Sequence, residues 1–430
     1  LLTTYTRNLA DDLASQVHQL SGAQTVERLD RPGVYVSGID QLVWAIMKRA
    51  RSGIADAVKD VLGHPREDPL KSSSVSWDQA IDEAGRILPA EIATTAFFEA
   101  EYETVILPYR VTTESQYLSV RRQGRGISLS RARRMAIWKV VAAYRSASRA
   151  EGGTSFAERA AIAAAWLERT GQHLFDHVIV DESQDLTPAH FQLLRALVAQ
   201  GPDDLFLCED SHQRIYGQKV TLSHYGIEIR GRARRLTLNY RTTAQNLAWA
   251  VNVLEGGSFT DLEGLVEKHP YRSSRSGPLP FLARASSPHE QILCVTAIVR
   301  KWLQTSAAGE TGAGAPAPET IAVLVPDKRQ RDQVAAALGE QGLEVQVVDR
   351  EEVRPDRPLI MTMHRAKGLE FTHVLLLDVN TLLDPRRRYR EPLDKTALAD
   401  WRLRERSLLY VAATRARDVL AVVPTPMPRR

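Results

Sequence analysis

Residues 178–185, Val-Ile-Val-Asp-Glu-Ser-Gln-Asp, combine the side chains that phosphate chemistry requires. An apolar run of strand character ends in two adjacent carboxylates, Asp181 and Glu182. One carboxylate of such a pair can hold Mg²⁺ beside nucleotide phosphates, and its neighbour can polarise an attacking water. The same pattern also fits a helix N-terminus with acidic caps. Taken alone, the segment leaves both interpretations open.

Further short apolar runs end in polar residues and alternate with stretches of helical spacing. This alternation is typical of parallel α/β sheets, whose ligands collect at the carboxyl ends of the strands. The runs are 177–180, 205–208, 321–325, 359–363, 374–378 and 419–423. We therefore predict an α/β fold in which the acidic pair lies at a strand end.

The first 160 residues are predicted to contain an opening strand and several helices. Residues 1–6 have the pattern of a buried strand that ends in polar residues, and helical spacing follows over 8–20. Residues 50–160 differ, because they contain helical segments and no strong strand run. Ser155 and Glu158 form a capping box that predicts the start of a helix.

Composition limits the class of protein. With 430 residues, 43% hydrophobic and 25% charged, the chain should form two to four globular units. It has no run of about 18 apolar residues and no basic-then-apolar leader, so we expect a cytoplasmic protein without a membrane span. Cys208 and Cys294 lie in apolar runs without the spacing of a zinc site, and we expect both to be buried thiols.

Basic residues are unevenly distributed, although the formal charge is only +4. Between Arg121 and Arg149 there are nine Lys or Arg residues and no Asp or Glu, and a second basic stretch covers 230–241. A patch of one sign is unfavourable unless it is solvated or faces an anion, of which a phosphate backbone is the usual example. The run is therefore either a nucleic-acid surface or a solvated helix face.

Six segments, in order along the chain, resemble the motifs of the UvrD/Rep/PcrA-like superfamily-one DNA helicases. They are LTTYTRN (2–8, motif Ia), DESQD (181–185, II), DSHQRIYG (210–217, III), LNYRT (238–242, IV), TMHRAKGLEF (362–371, V) and LYVAATRAR (409–417, VI). The resemblance spans nearly the whole chain and implies two RecA-like parallel-sheet domains with a small helical insertion.

The resemblance implies ATP and Mg²⁺ as cofactors and assigns the catalytic side chains. Asp181 would hold Mg²⁺, and Glu182 would be the general base for water. Gln213 is similar to the glutamine that senses the γ-phosphate. Arg241 and Arg415 resemble two arginines that reach the γ-phosphate from the second sheet, where a permanently charged guanidinium suits developing phosphoryl charge.

The remaining assignments concern the nucleoside and the DNA. Tyr240 resembles the aromatic residue that stacks on adenine, and Glu370 the residue near the ribose; Tyr240 also fits a core position. The implied partner is single-stranded DNA, or a duplex with a single-stranded tail. The candidate DNA contacts are Thr4, Tyr5, Thr6, Tyr216, Thr362 and His364. Of these, Tyr5 fits a core position equally well, and His364 a structural one.

The resemblance also predicts the domain organisation. Residues 1–48 and 160–232 would form the first RecA-like domain, and 49–159 a helical basic insertion. Residues 233–430 would form the second RecA-like domain, with a flexible linker at 306–318. The relatives' large 2B domain has no room here, because only ten residues separate Val348 from the motif V strand.

The chain departs from the family at two functional points. Motif III has Glu209-Asp-Ser-His in place of the usual Gly-Asp and an acidic pair, and Arg214 replaces a small residue. No G-x-x-x-x-G-K-[ST] loop occurs, although that loop supplies the amides and the lysine that cradle the phosphates. In the family it precedes motif Ia, so we expect either a truncated chain or a protein that is naturally loop-less or split.

Two functional hypotheses follow. In the first, the parent protein hydrolyses ATP and moves 3′ to 5′ on single-stranded DNA, a polarity that rests wholly on the resemblance. In the second, the chain grips nucleic acid without turnover.

Overall fold

The structure is a computed structural model and describes residues 1–122, 125, 128–216, 219–267, 271–304, 316–349, 353–384 and 395–425. Residues 305–315, most of the expected linker, lie outside the described residues, as does Gly217 of motif III.

The first sheet contains five parallel strands. Its strands are β1 (Leu2–Thr4), β2 (Thr25–Val26), β3 (Val34–Gly38), β4 (Val178–Asp181) and β5 (Leu205–Leu207), in the spatial order β2-β3-β1-β4-β5. The opening strand, β1, is central, because it pairs with β3 on one side and β4 on the other. The carboxyl ends of β1 and β4 therefore bring motifs Ia and II side by side.

The second sheet contains six parallel strands in the order β10-β11-β9-β12-β13-β8. They are β8 (Phe281–Leu282), β9 (Ile321–Val325), β10 (Gln346–Val347), β11 (Leu359–Thr362), β12 (Phe371–Leu377) and β13 (Ala416–Val423). A small pair, β6 (Leu238–Asn239) and β7 (Arg272–Ser273), precedes it. Two parallel sheets confirm the predicted α/β class.

Fourteen α-helices connect and cover the strands among the described residues. They are α1 (Arg7–Ser21), α2 (Ile39–Ala50), α3 (Ala55–Leu62), α4 (Trp77–Ala84), α5 (Thr95–Glu101), α6 (Glu114–Ser119), α7 (Arg131–Glu151), α8 (Phe156–Thr170), α9 (Pro188–Leu197), α10 (Ala244–Leu254), α11 (Pro288–Gln304), α12 (Lys328–Glu340), α13 (Val379–Leu382) and α14 (Lys395–Thr414). A π-helical turn, Tyr102–Ile106, follows α5. Within the described part of the chain, no helix is long and apolar enough to cross a membrane.

Helix starts follow the predicted capping chemistry. Ser155 caps α8 by accepting a hydrogen bond from the Glu158 amide, and the Glu158 carboxylate accepts one from the Ser155 amide at 2.8 Å. This reciprocal pair confirms the predicted capping box.

The helices between β3 and β4 share one hydrophobic core with the first sheet. A single cluster of buried residues contains Val178 and Val180 of β4 together with Phe98 and Ile137 of the helical segment. The second sheet has separate apolar clusters, which contain Leu324 and Val323 from alternate positions of β9. Alternating residues of a buried parallel strand point to opposite faces, so both faces of this sheet are covered.

One face of the first sheet is uncovered at its β5 edge. Ile179 and Phe206 are partners in register, and their exposed fractions are 44% and 62%. Cys208, two residues after Phe206, is also exposed, so the prediction of a buried thiol is wrong for this residue. Its apolar surroundings in the sequence lie at a strand edge and not in the core. Cys294 is half-buried, and both thiols are free.

Much of the basic run 121–149 has a structural role that the sequence did not indicate. The carboxylate of Glu101 is fully buried and receives Arg122 Nε at 2.5 Å and Arg125 Nε at 2.8 Å. Tyr117 donates its hydroxyl proton to the same carboxylate. Burial alone would raise the pKa of Glu101, but these partners outweigh burial and lower it.

Two further arginines of the run also point inward. Arg134 donates to the carbonyls of Tyr117, Leu118 and Val120, at 3.0 to 3.1 Å. Arg145 is buried and donates to the carbonyl of Val111 at 2.8 Å. The basic residues of the run that do face solvent are Arg121, Arg131, Arg133, Lys139 and Arg149. Neither simple interpretation of the run is therefore complete.

Replacing Arg122 with alanine should lower the free energy of unfolding by about 3 kcal/mol, because the buried Glu101 carboxylate loses a bidentate partner. The measurement is urea unfolding followed by circular dichroism. Arg133→Ala, on the exposed face of α7, is the matched control and should change stability by less than about 0.5 kcal/mol. Equal effects of the two substitutions would mean that the buried cluster is not structural.

Candidate nucleotide site and nucleic-acid interface

The carboxylate pair lies at the carboxyl end of β4, as predicted. The backbone of Glu182 has φ 55° and ψ 39°, a left-handed conformation that is uncommon for a residue other than glycine. Asp181 Oδ1 accepts a hydrogen bond from the Glu182 amide at 3.0 Å. Burial and the neighbouring charge of Glu182 raise the pKa of Asp181. Backbone strain of this kind is common at functional sites.

A buried lysine from the second half of the chain lies on this carboxylate site. Lys367 Nζ is 2.9 Å from Glu182 Oε2, forms a short ion pair with Asp185, and donates to the carbonyl of Gln213 at 2.8 Å. Burial alone would lower the pKa of Lys367, but the charges of Asp185 and Glu182 outweigh it and leave that pKa raised. The ammonium group is therefore charged and ties motif V to motifs II and III.

Asp185 connects motif II to the backbone of motif III. Its side chain is fully buried. Oδ1 accepts hydrogen bonds from the amides of Ile215 at 3.2 Å and Tyr216 at 3.0 Å, while Oδ2 receives Lys367. One carboxylate thus fixes the loop that follows Gln213.

Gln213 and Arg415 are in direct contact. Arg415 Nη2 donates to Gln213 Oε1 at 3.2 Å, and Gln213 Nε2 donates to Asp210 Oδ2 at 2.8 Å. Arg415 is 2% exposed and also donates to the carbonyl of Val411 at 3.1 Å. Burial, and then the charge of Arg241, lower the pKa of Arg415 to about 10. Motifs III and VI therefore meet through one glutamine–arginine hydrogen bond.

Arg241, Glu370 and Tyr240 lie on the surface near this contact. Arg241 Nε is 2.8 Å from Glu370 Oε2, and both side chains are about half exposed, at 49% and 54%. Tyr240 is 71% exposed, which excludes a core position for its ring. Because Arg241 influences the pKa values of both Asp181 and Arg415, it lies within electrostatic reach of the carboxylate site.

The acidic groups fit a Mg²⁺ ion that is held mostly by a nucleotide. Among the residues that the structure describes, no three His, Cys, Asp or Glu side chains are close enough to form a metal site. Mg²⁺ typically binds one or two protein carboxylates together with substrate phosphates and water. Asp181 is the carboxylate that could contribute, since Lys367 already occupies the Glu182 carboxylate.

The three threonines predicted to contact DNA have structural positions. Thr4 is fully buried in β1, between Gly38 and Asp181 in register, so its side chain does not reach the surface in this arrangement. Thr6 is the N-cap of α1, and Thr362 is 9% exposed. The structure therefore does not favour Thr4 as a DNA contact.

Tyr5, Tyr216 and His364 form one aromatic cluster from motifs Ia, III and V. The rings of Tyr5 and Tyr216 are stacked, with centroids 5.1 Å apart, and His364 lies 5.9 Å from Tyr216. Part of the flat face that Tyr5 or Tyr216 could offer to a DNA base is thus covered by the other ring.

Lys367 and Asp185 were not predicted as functional residues, although both lie inside recognised motifs. The available signal was weak: a lysine before a glycine, and a third carboxylate after Asp-Glu. Their contact joins residues 182 positions apart, which no local pattern specifies.

Replacing Lys367 with methionine should lower the urea midpoint strongly, because Asp185 and Glu182 would be left buried without their cation. The free energy of unfolding should fall by about 3–5 kcal/mol. Unpaired buried carboxylates have raised pKa values, so they bind protons more tightly in the folded state. The destabilisation should therefore be smaller at pH 5.5 than at pH 8. Urea unfolding at both pH values provides the measurement.

Lys328→Met is the matched control, since Lys328 Nζ lies 2.9 Å from Asp349 Oδ2 but is 67% exposed. Losing this ion pair should lower the free energy of unfolding by less than about 1 kcal/mol at either pH. Similar midpoints for the two variants would contradict the structural role of Lys367.

Comparisons with known proteins identify the family. Residues 1–222 match the model of the UvrD/REP helicase N-terminal domain, and residues 350–425 match that of the UvrD-like helicase C-terminal domain. No curated protein is matched. Among solved structures, the C-terminal domain of a possible DNA helicase from Lactobacillus plantarum WCFS1 is similar, at 19% sequence identity and a TM-score of 0.30. That similarity covers 44% of this chain and 89% of that chain.

The first family match covers more than half of the 430 residues and includes both strands that carry motifs Ia and II. The second includes Lys367 and Arg415, which contact motifs II and III in the structure. The chain belongs to the UvrD/REP family of DNA helicases.

Proposed function

We propose that this chain is the motor body of an ATP-dependent translocase that moves 3′ to 5′ on single-stranded DNA. The observation that carries the proposal is the direct contact between Gln213 of the first half and Arg415 of the second. A γ-phosphate sensor and an arginine that touch each other can respond together to one nucleotide. The direction of movement comes from the family resemblance.

In this proposal the catalytic residues have separate tasks. Asp181 contributes to Mg²⁺ binding, and the ion would neutralise charge on the nucleotide phosphates. Glu182 accepts the proton of the attacking water. Arg415 stabilises charge that develops on the transferred phosphoryl group, because a guanidinium stays cationic even where burial lowers its pKa to about 10.

Two surface groups would rearrange on nucleotide binding. Arg241 exchanges its exposed partner Glu370 for the γ-phosphate, an inexpensive step because exposed ion pairs contribute about 0–1 kcal/mol. Tyr240 offers an exposed ring for adenine, and Glu370 is then free to approach the ribose.

Lys367 contacts the general base in this scheme. Its ammonium group lies 2.9 Å from Glu182 Oε2, so a displacement of motif V changes the charge beside this carboxylate. Motif V also carries His364, which belongs to the aromatic cluster with Tyr5 and Tyr216. DNA bases that insert at this cluster would move the same loop that holds Glu182, which couples DNA binding to hydrolysis.

A second candidate function is nucleic-acid binding without turnover. It is favoured by one specific observation, the aromatic cluster of Tyr5, Tyr216 and His364, which offers rings to DNA bases without any nucleotide. The two candidates predict the same DNA binding and differ only in ATP turnover.

Single-stranded DNA should bind without sequence preference, with affinity that falls steeply as salt rises. Each neutralised phosphate contributes about −0.7 to the log–log slope. Fluorescence anisotropy with labelled oligonucleotides of two unrelated sequences measures both properties. A double Ala variant of Tyr5 and Tyr216 should weaken binding at every salt concentration and leave the slope unchanged, because stacking releases no counterions.

ATP turnover separates the two candidates. These 430 residues alone should release phosphate from ATP at background rates even with single-stranded DNA, since positioning of the phosphates is the main source of catalysis. A longer version, extended before Leu1 by a strand and a G-x-x-x-x-G-K-[ST] loop, is assayed beside it. Where turnover is found, Glu182→Gln should abolish it and preserve nucleotide binding. Turnover within twofold of the parent in that variant would contradict the role of Glu182.

A further inference from the structure

Helix α14 contacts motif III at two places. Beyond its carboxyl end, Arg415 donates to Gln213. In its amino-terminal half, Asp400 Oδ1 accepts a hydrogen bond from Arg214 Nη2 at 2.9 Å. Gln213 and Arg214 are consecutive, so one short loop of the first half holds this helix at points about 20 Å apart.

The Asp400 contact includes a second arginine and a second part of the chain. Arg404 Nε lies 3.1 Å from Asp400 Oδ2. The charge of Arg404 also acts on Glu99 and Glu103, which belong to α5 and the π-helical turn of the helical segment. Burial raises the pKa of Glu103 to about 7, and the charge of Glu99 adds to this effect while Arg404 opposes it. Motif III, α14 and the helical segment therefore meet at one charged junction.

One carboxylate of this junction acts electrostatically on the aromatic cluster. Burial raises the pKa of Tyr5, and the charges of Asp185 and Glu103 are among the further causes. A carboxylate of the helical segment is thus electrostatically coupled to the proposed DNA contact and to Arg404 of α14.

We propose that Arg214 and Asp400 are positioning residues for Arg415. With Arg404 they form what we call the Asp400 clasp, which fixes the direction of α14 relative to motif III. The proposal rests on the proposed function for the catalytic role of Arg415. The clasp itself is a statement about Arg214, Asp400 and Arg404 alone.

The physical reason is the length of helix α14. Helix α14 has 20 residues and is about 30 Å long, so a small tilt about one end displaces the other by several ångströms. Within the second half, α14 packs along α10, which belongs to the same half and does not fix it to motif III. The rings of His212 and Tyr410, with centroids 6.0 Å apart, add a contact between motif III and α14 near the carboxyl end of the helix. Among the described contacts, the Arg214–Asp400 ion pair joins motif III to the other end of the helix.

The residue types at the clasp support a positioning role. The Arg214 and Asp400 side chains are 15% and 24% exposed, so the pair is better shielded from solvent and salt than a surface pair. Arg214 stands where the family has a small residue, which could not reach α14. The clasp would then be a feature of this chain and not of every family member.

Hydrogen exchange measured by mass spectrometry on the 430-residue chain tests the clasp without nucleotide or DNA. Arg214→Gln and Asp400→Asn should each increase amide exchange in α14 and at Arg415 roughly fivefold, because the amino-terminal half of the helix is released. The double variant should exchange no faster than either single variant, since both remove the same contact. Arg214→Lys should stay within about twofold of the unmodified chain.

Two controls show whether a change in exchange is specific to the clasp. Exchange in β9 should be unchanged in every variant, which reports that the second sheet remains folded. Arg235→Gln removes an ion pair with Asp261 of 2.8 Å that lies wholly inside the second half, and should leave α14 unaffected. The clasp would be overturned if the increases in exchange from the two substitutions multiplied in the double variant. It would also be overturned if Arg214→Gln and Asp400→Asn left exchange in α14 as unchanged as Arg214→Lys does.

A kinetic measurement then tests the positioning of Arg415 in a version that hydrolyses ATP. Asp400→Asn should lower kcat about tenfold and change KM for ATP by less than about threefold, because Arg415 acts mainly in the transition state. Unchanged kcat beside altered exchange would overturn the positioning role. Absence of any turnover in the longer version without substitutions would count against the proposed function, while hydrogen exchange on the 430-residue chain would still decide on the clasp.

Discussion

One buried ammonium group determines how the two halves of this molecule can be arranged. Lys367 reaches across from the second sheet to Asp185 and Glu182 of the first, and a charge in such a place is tolerable only with its partners in contact. Any movement that separates the sheets must therefore supply replacement partners, such as water, a metal ion or phosphate. This requirement couples the separation of the halves to whatever ligand enters between them.

The other contacts around this group are graded in burial. Gln213–Arg415 joins the two halves through a partly buried hydrogen bond at 3.2 Å, while Arg241–Glu370, within the second half, is an exposed ion pair. A site that must take up and release a ligand benefits from such a gradient, because the exposed pair exchanges first and the buried ones later. The same gradient fits the different burial of the motif residues that we propose for one chemical step.

Sequence patterns predicted the parts of this site but not their connections. The parallel strands, the acidic pair at the end of β4 and the capping box of α8 all follow from local periodicity and capping rules. Lys367 could not be assigned, because its partners lie in another sheet and a lysine in a loop has no local signal for burial. The basic run could be interpreted only in part for a related reason: sequence shows the excess of charge, while the buried Glu101 that pairs with Arg122 and Arg125 lies 20 residues upstream of Arg121.

The left-handed backbone at Glu182 has an evolutionary consequence. A residue with φ of 55° is most comfortable as glycine or asparagine, and a longer side chain there costs about 1 kcal/mol. Backbone conformation thus favours glycine or asparagine at this position, whereas the proposed chemistry favours glutamate. A lineage that no longer used the carboxylate would drift toward glycine or asparagine, since each step would relieve strain. If the proposed proton transfer depends on Glu182, selection on that chemistry would keep glutamate there against the strain.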